Sequence, residues 1–197
     1  MSRRILVTGP ARSGKSEWAE AIATQRQQTG QQVIYVATAM TDPTDAEWQA
    51  RIQQHRQRRP KAWQCVEAPV ELAASIRKAK LDQCLLVDSL GTWLANLLEQ
   101  DKAAWQHTLD ELQQAIYHTP ADVILVAEET GWGVVPSTPL GRLFRDRLGT
   151  LTRNIGAIAD ETYLVTAGHI LNLTRVGTPL SKALNNAALG DATPFGK

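Results

Sequence analysis

The sequence predicts an α/β fold: an open, mostly parallel sheet with helices on both faces, three layers in all. Three observations carry that expectation. Short apolar runs alternate along the chain with longer segments of helical spacing, as repeated β-α-β units do. Most of these runs, such as Cys84-Leu85-Leu86-Val87 and Val123-Ile124-Leu125-Val126, are apolar without alternation, which suits strands covered on both faces. The first run closes in Gly9-Pro10-Ala11-Arg12-Ser13-Gly14-Lys15-Ser16, a loop of the form G-x-x-x-x-G-K-S/T that leads into helical spacing.

The elements follow in order. Arg4-Ile5-Leu6-Val7-Thr8 reads as the first strand, and Glu17 to Ala23 begins a first helix that stops at Gly30 with a glycine cap. Gln32 to Thr38 is the second strand. Asp42-Pro43-Thr44-Asp45 is a turn and N-cap, and a polar helix runs from Ala46 to Arg58 until Pro60 ends it. Trp63 to Glu67 reads as a short third strand. Pro69 opens a helix with Leu72, Ile76 and Ala79 on its apolar face, and Cys84 to Asp88 is an apolar strand ending in an acid. Helical spacing returns from Ser89 to Gln100 and from Lys102 to His118, and Asp122 to Glu128 is the next strand. After a loop with two glycines, Gly131-Trp132-Gly133-Val134-Val135-Pro136, a long helix runs from Leu140 to Ile158. Glu161 to Ala167 is the last clear strand, with Ile170 to Leu173 pairing at its edge. From Gly177 the chain is small and polar, which predicts partial order. Neither an internal repeat nor a Gly/Ser-rich linker divides it, so the expectation is one domain over 1–175 and an extension over 176–197.

Bulk properties narrow the function. Lys plus Arg number 21 against 20 for Asp plus Glu, which gives no global field to attract nucleic acid or a membrane surface. No apolar run approaches the roughly 20 residues of a membrane span. The apolar run after Met1-Ser2-Arg3-Arg4 is too short for a signal peptide, so the expected location is the cytoplasm. Cys65 and Cys84 lie far apart in apparent strands and read as buried free thiols rather than a disulfide.

The chemistry starts at the glycine loop. A strand, a glycine loop and a helix N-terminus in that order make a phosphate cradle, in which backbone N–H groups and the helix dipole face the anion. Lys15 is placed for the β and γ phosphates and the Ser16 hydroxyl for Mg²⁺. In open parallel sheets ligands gather at the carboxyl ends of the strands, where this chain puts Thr38, Glu67, Asp88, Glu128-Glu129 and Gly168-His169. Asp88 reads either as a second acid toward Mg²⁺ or as the N-cap of the following helix. Arg51-Ile52-Gln53-Gln54-His55-Arg56-Gln57-Arg58-Arg59-Pro60 is either a solvated cationic helix end or a phosphate clamp. Neighbouring cations depress a histidine pKa, so His55 is either a neutral nucleophile or a surface histidine. Glu128 or Glu129 is a substrate contact or base, or else a brace for the loop. His107 and His118 read as surface residues, and His169 as a surface or cleft residue. Trp132 reads as a substrate-ring contact or a subunit contact.

GPARSGKS, RIQQHRQRRPKAW, LLVDSLGTWLANLL and EETGWGVVP occur together in this order. That set resembles the bifunctional adenosylcobinamide kinase and adenosylcobinamide-phosphate guanylyltransferase family of cobalamin biosynthesis, across roughly residues 4 to 168. The resemblance implies a RecA-like P-loop fold, a homotrimer with sites between subunits, and two reactions. The first moves a γ-phosphoryl group from ATP or GTP to the hydroxyl of adenosylcobinamide. The second moves GMP from GTP onto that phosphate through a guanylyl-histidine, releasing pyrophosphate. By resemblance the nucleophile falls on His55. The nucleotide contacts fall on Gly9, Pro10, Ala11, Arg12, Ser13, Gly14, Lys15 and Ser16, on Ala37, Thr38 and Ala39, on Arg56, Gln57, Arg58 and Arg59, and on Glu67 and Asp88. The Mg²⁺ ligands expected are Ser16 and Asp88. Two positions depart from the family pattern: Pro10 stands where a second loop glycine is common, and Thr152-Arg153 where an Asn-Gln pair is common.

Rival readings are a P-loop small-molecule kinase without transferase activity and a RecA-like switch or motor acting on a protein or nucleic acid. The near-zero net charge speaks against a nucleic-acid partner. A covalent nucleotide label on His55 separates the transferase from both.

Overall fold

The computed structural model describes residues 2–40, 44–45, 49–50, 53, 57 and 59–188. Among these, seven strands form one sheet: β1 (Arg4–Gly9), β2 (Gln32–Ala37), β3 (Gln64–Glu67), β4 (Gln83–Asp88), β5 (Asp122–Glu128), β6 (Glu161–Thr166) and β7 (His169–Asn172). Their order is β3-β2-β4-β5-β1-β6-β7, and each pairing is parallel except β6 with β7. The helices are α1 (Lys15–Gln28), α2 (Leu72–Arg77), α3 (Leu90–Asn96), α4 (Lys102–His118), α5 (Pro139–Ile158), α6 (Leu173–Val176) and α7 (Leu180–Ala188). The predicted α/β class is observed. β5 separates the loop-bearing strand β1 from β4, which ends in Asp88; this is a RecA-like P-loop arrangement.

Unbroken apolar strands give both sheet faces a core. Side chains alternate along a strand, so Leu85 and Val87 of β4 face one layer while Cys84 and Leu86 face the other. Leu6, Val123 and Leu125 join the first layer, against Ile76 of α2, Trp93 of α3, Leu112 of α4 and Leu151 of α5. Ile5, Val7, Tyr35, Ile124 and Val126 join the second, against Ala19, Ile22 and Ala23 of α1 and Trp63. Each large aliphatic side chain so buried contributes about 1.5–3 kcal/mol. On the α1 face the carboxyl end of β4 lies beside the loop, where Ser16 meets Asp88.

Local signals fix the boundaries. Ser89 caps α3 in a capping box with Thr92, Asp101 caps α4 through the Ala104 N–H, and Thr138 caps α5 with Pro139 at its first position. Three expectations need correction. α2 begins at Leu72 rather than Pro69, and α3 ends at Asn96 rather than Gln100. The early end of α3 has a physical cause: the buried Arg147 guanidinium donates to the carbonyls of Leu97, Leu98 and Gln100, at 3.4, 3.2 and 2.6 Å, and holds them out of a helical ladder. Cys65 is exposed rather than buried, because β3 is an edge strand whose four residues all face solvent; Cys84 is buried, and both thiols are free. Within the 176–197 extension the described residues include α7. The predicted helix 46–58 lies largely outside the described residues.

Candidate active site

The Gly9–Ser16 loop rises from the carboxyl end of β1 and closes on the N-terminus of α1. Two glycines are required by geometry. A Cβ on Gly9 would sit 2.3 Å from the Val165 carbonyl oxygen of β6, and Gly14 has φ +92°, a left-handed conformation that side chains resist. Lys15 is only 9% exposed, and its Nζ donates to the Pro10 carbonyl at 3.3 Å, folding the side chain over the loop. Ser13 Oγ is buried with no hydrogen-bond partner among the described residues. A buried polar atom without a partner is costly, and this one lies against the first glycine of the loop, 2.7 Å from where a Gly9 Cβ would sit. Pro10 contributes no N–H, so the cradle's donors begin at Ala11.

Asp88 joins this loop. Its carboxylate takes a hydrogen bond from Ser16 Oγ on Oδ1 at 3.4 Å and one from the Tyr35 hydroxyl on Oδ2 at 3.0 Å. The N-cap reading of Asp88 falls, because Ser89 caps α3 and leaves the acid on the α1 face. Register explains the Tyr35 contact: Tyr35 sits opposite Leu86 and Ala37 opposite Asp88, so Tyr35 is the diagonal neighbour of Asp88 on one face, within reach of an aromatic side chain. Burial raises the Tyr35 pKa far above its usual value, the Asp88 charge adds to that, and the Arg59 cation opposes it. The phenol therefore stays protonated and donates. Ser16 and Asp88 are both oxygen donors, which suits Mg²⁺ held by one carboxylate, one hydroxyl, substrate phosphates and water. Among the described residues no cluster of three or more His, Cys, Asp or Glu stands ready to hold a metal without such help.

The remaining expected residues divide. Arg59 places its guanidinium carbon 3.3 Å from the centre of the Tyr35 ring, and its Nε is buried without a hydrogen-bond partner among the described residues. Thr38 is fully buried, and its hydroxyl donates to the Ser89 carbonyl at 2.7 Å while accepting from the Ser89 N–H at 2.9 Å. Thr38 therefore pins the start of α3, and its own carbonyl accepts from Asn96 Nδ2 at 2.8 Å. Ala37 and Ala39 flank it, half-buried. Glu67 closes the edge strand opposite Ala37, exposed, and Gln57 is exposed. His55, Arg56 and Arg58 lie outside the described residues.

Glu128 and Glu129 turn out to be braces. Glu128 takes hydrogen bonds from Ser89 Oγ and, at 2.9 Å, from the Gly91 N–H, so it sits on the positive end of α3. Glu129 accepts from Thr8 Oγ1 at 2.7 Å. His169 is exposed, with Nδ1 2.8 Å from the Ala167 carbonyl, and His107 and His118 are exposed on α4. Trp132 is 63% exposed, followed by the exposed Val134 and Val135. Sequence reasoning missed Tyr35, which reads as an ordinary core aromatic, and Asn96, whose Nδ2 also reaches the Pro69 carbonyl at 2.8 Å and ties two loops at the site together. A lone amide inside the apolar run WLANLL is the one signal that marked Asn96.

Comparison with known proteins agrees with this arrangement. The profile of the family described as cobinamide kinase / cobinamide phosphate guanyltransferase matches residues 5–173. The bifunctional adenosylcobalamin biosynthesis protein CobP of Pseudomonas aeruginosa is 40% identical over 179 residues, covering 90% of this chain and 99% of that protein. The bifunctional adenosylcobalamin biosynthesis protein CobU of Salmonella typhimurium is 38% identical over 179 residues, covering 83% and 96%. Among solved structures, a Pyrococcus horikoshii OT3 protein shares the fold with a TM-score of 0.55 at 8% identity, over 90% of this chain and 93% of that one. A profile that spans most of the chain, with two relatives matched nearly end to end, settles the family: this chain belongs to the cobinamide kinase / cobinamide phosphate guanyltransferase family.

Proposed function

We propose that this chain phosphorylates adenosylcobinamide with ATP or GTP and then transfers GMP from GTP to the resulting phosphate, giving adenosylcobinamide-GDP and pyrophosphate. The observation that carries the reading is the approach of Ser16 and Asp88 at 3.4 Å beside a loop whose Ser13 hydroxyl lacks a partner among the described residues. In the kinase step the loop N–H groups and Lys15 hold the β and γ phosphates. The substrate hydroxyl oxygen attacks the γ phosphorus, its proton is lost, and the β–γ bridging bond breaks. Positioning and charge neutralisation supply most of that catalysis. Ser16 and Asp88 would hold Mg²⁺, which would supply neutralisation of charge on the phosphate oxygens.

In the transferase step the His55 imidazole attacks the α phosphorus, a P–N bond forms, and the α–β bridging bond breaks to release pyrophosphate. The substrate phosphate oxygen then attacks the same phosphorus and frees the imidazole. Arg56, Arg58 and Arg59 hold the triphosphate in line, with Gln57, Glu67 and the 37–39 backbone completing the nucleotide contacts. The chain works in the cytoplasm as a homotrimer of one P-loop domain (1–175) and an extension (176–197), without nucleic acid.

The test is labelling with α-³²P-GTP. The expected result is a protein-bound label that is acid-labile and base-stable and is absent in His55→Ala. A wild-type protein that turns over adenosylcobinamide and retains no label is a kinase alone. One that hydrolyses nucleotide without phosphorylating the corrinoid is a switch or motor.

A further inference from the structure

Tyr35 stands between two groups that the two half-reactions use separately. Its hydroxyl donates to Asp88 Oδ2 at 3.0 Å, leaving Oδ1 to Ser16 and the metal side, and its ring carries the Arg59 guanidinium at 3.3 Å. The residue is 3% exposed, so neither contact is a chance surface encounter. Arg59 is four positions beyond His55, and the chain on its far side is anchored. Trp63 N–H donates to the Pro60 carbonyl at 3.1 Å, and Trp63 Nε1 donates to Gln27 Oε1 of α1 at 3.0 Å. Arg59 Nε is buried without a hydrogen-bond partner among the described residues, and its guanidinium lies over the Tyr35 ring.

We propose that Tyr35 is a positioning residue for both reactions: its hydroxyl orients Asp88 for the metal, and its ring fixes the root of the segment that bears His55. The inference rests on reading Ser16 and Asp88 as the metal side of a nucleotide site. Groups that orient a metal-ligating carboxylate commonly change metal affinity 10–100-fold when removed. The hydroxyl and the ring are separable, because phenylalanine keeps one and loses the other. A tyrosine that only fills the core would show no such division.

The experiment compares wild type, Tyr35→Phe and Tyr35→Leu in the full chain, with two readouts that need no turnover. The first is the Mg²⁺ concentration for half-maximal binding of mant-GTP. The second is the rate of tryptic cleavage at the Arg58–Arg59 bond, without nucleotide, well below the melting temperature. Tyr35→Phe is expected to raise the Mg²⁺ midpoint about tenfold and leave cleavage unchanged. Tyr35→Leu is expected to raise both, cleavage by several-fold. Equal Mg²⁺ midpoints in wild type and Tyr35→Phe, or equal cleavage rates in wild type and Tyr35→Leu, overturn the proposal. Should Tyr35→Leu fail to fold, Arg59→Gln takes its place, with faster cleavage after Arg58 expected; unchanged cleavage overturns it. Wild-type protein that binds mant-GTP with Mg²⁺ and takes no label from α-³²P-GTP removes the guanylyl-histidine and leaves these readouts to judge Tyr35 separately.

Discussion

Replacing Asp88 by asparagine changes one charge and almost no volume, so its consequences are calculable from the contacts. In the native site two hydroxyls, Ser16 Oγ and Tyr35 OH, both donate to the carboxylate. A carboxamide offers one acceptor oxygen, and its NH₂ must face the other donor. The tyrosine is the more buried of the two and keeps the oxygen, which turns the NH₂ toward Ser16 and the metal. One charged hydrogen bond lost is worth about 1.5–3 kcal/mol, which for a chain of this size lowers Tm by roughly 3–12 °C. With Asp88 holding Mg²⁺ as proposed, its loss is expected to cost about 100-fold in kcat/KM for ATP, or about 2.7 kcal/mol of transition-state stabilisation. The assay is phosphorylation of adenosylcobinamide at several Mg²⁺ concentrations, with melting curves as the fold control. Because the loss is of metal affinity, raising Mg²⁺ recovers part of the rate. A variant within threefold of wild type at low Mg²⁺, or one whose deficit is indifferent to Mg²⁺, would refute the reasoning.

Three further outcomes follow from the structure. Arg147→Met strips the donors from the Leu97, Leu98 and Gln100 carbonyls and the cation beside the Trp105 ring, and is expected to destabilise by about 3 kcal/mol, seen in urea unfolding with nucleotide affinity unchanged. The Arg4 guanidinium, through its hydrogen bond, holds the Asp160 carboxyl below the usual carboxylate value. That pair therefore stabilises above about pH 4, the unfolded-state value, and the contribution is lost as pH falls through the lower folded-state value, so Arg4→Gln is expected to flatten Tm against pH on the acid side. Burial first, and then the Asp122 charge, push the Cys84 thiol up to about 12, whereas Cys65 is exposed. A thiol reagent at pH 8 is expected to modify Cys65 alone in the native protein and both cysteines in urea; prompt native reaction of two thiols would contradict the burial of Cys84.

The fold was legible wherever local chemistry and burial agreed. α4 and β5 fall where the sequence puts them, because Asp101 caps one and an unbroken apolar run makes the other. α3 ends early for a reason no window around it contains, a guanidinium supplied from residue 147. The cradle itself was legible from spacing, and Asp88 from its place at a strand end. Its partner Tyr35 was not, since the contact arises from the register of β2 on β4 and from a diagonal across the sheet. Glu128 and Glu129 looked like candidates for chemistry because they stand at a strand end, yet the α3 N-terminus and Thr8 take both. Cys65 was misjudged because apolar pattern marks a strand without saying whether it lies at the edge.

The pairing of β1 with β5 and β6 has a consequence for synthesis. Arg4 lies against Val123, and Ile5 against Glu161, so both neighbours of the loop-bearing strand emerge from the ribosome long after it. At about 5–20 residues per second, β1 waits roughly 6–24 s for its first partner. During that interval Ile5, Leu6 and Val7 have no sheet to join, and slow, long-range parallel pairing of this kind exposes apolar backbone to aggregation. The nascent chain thus has a window in which a holding chaperone is useful, and synonymous codons that slow translation between β1 and β5 are expected to lower the soluble yield without altering the finished enzyme.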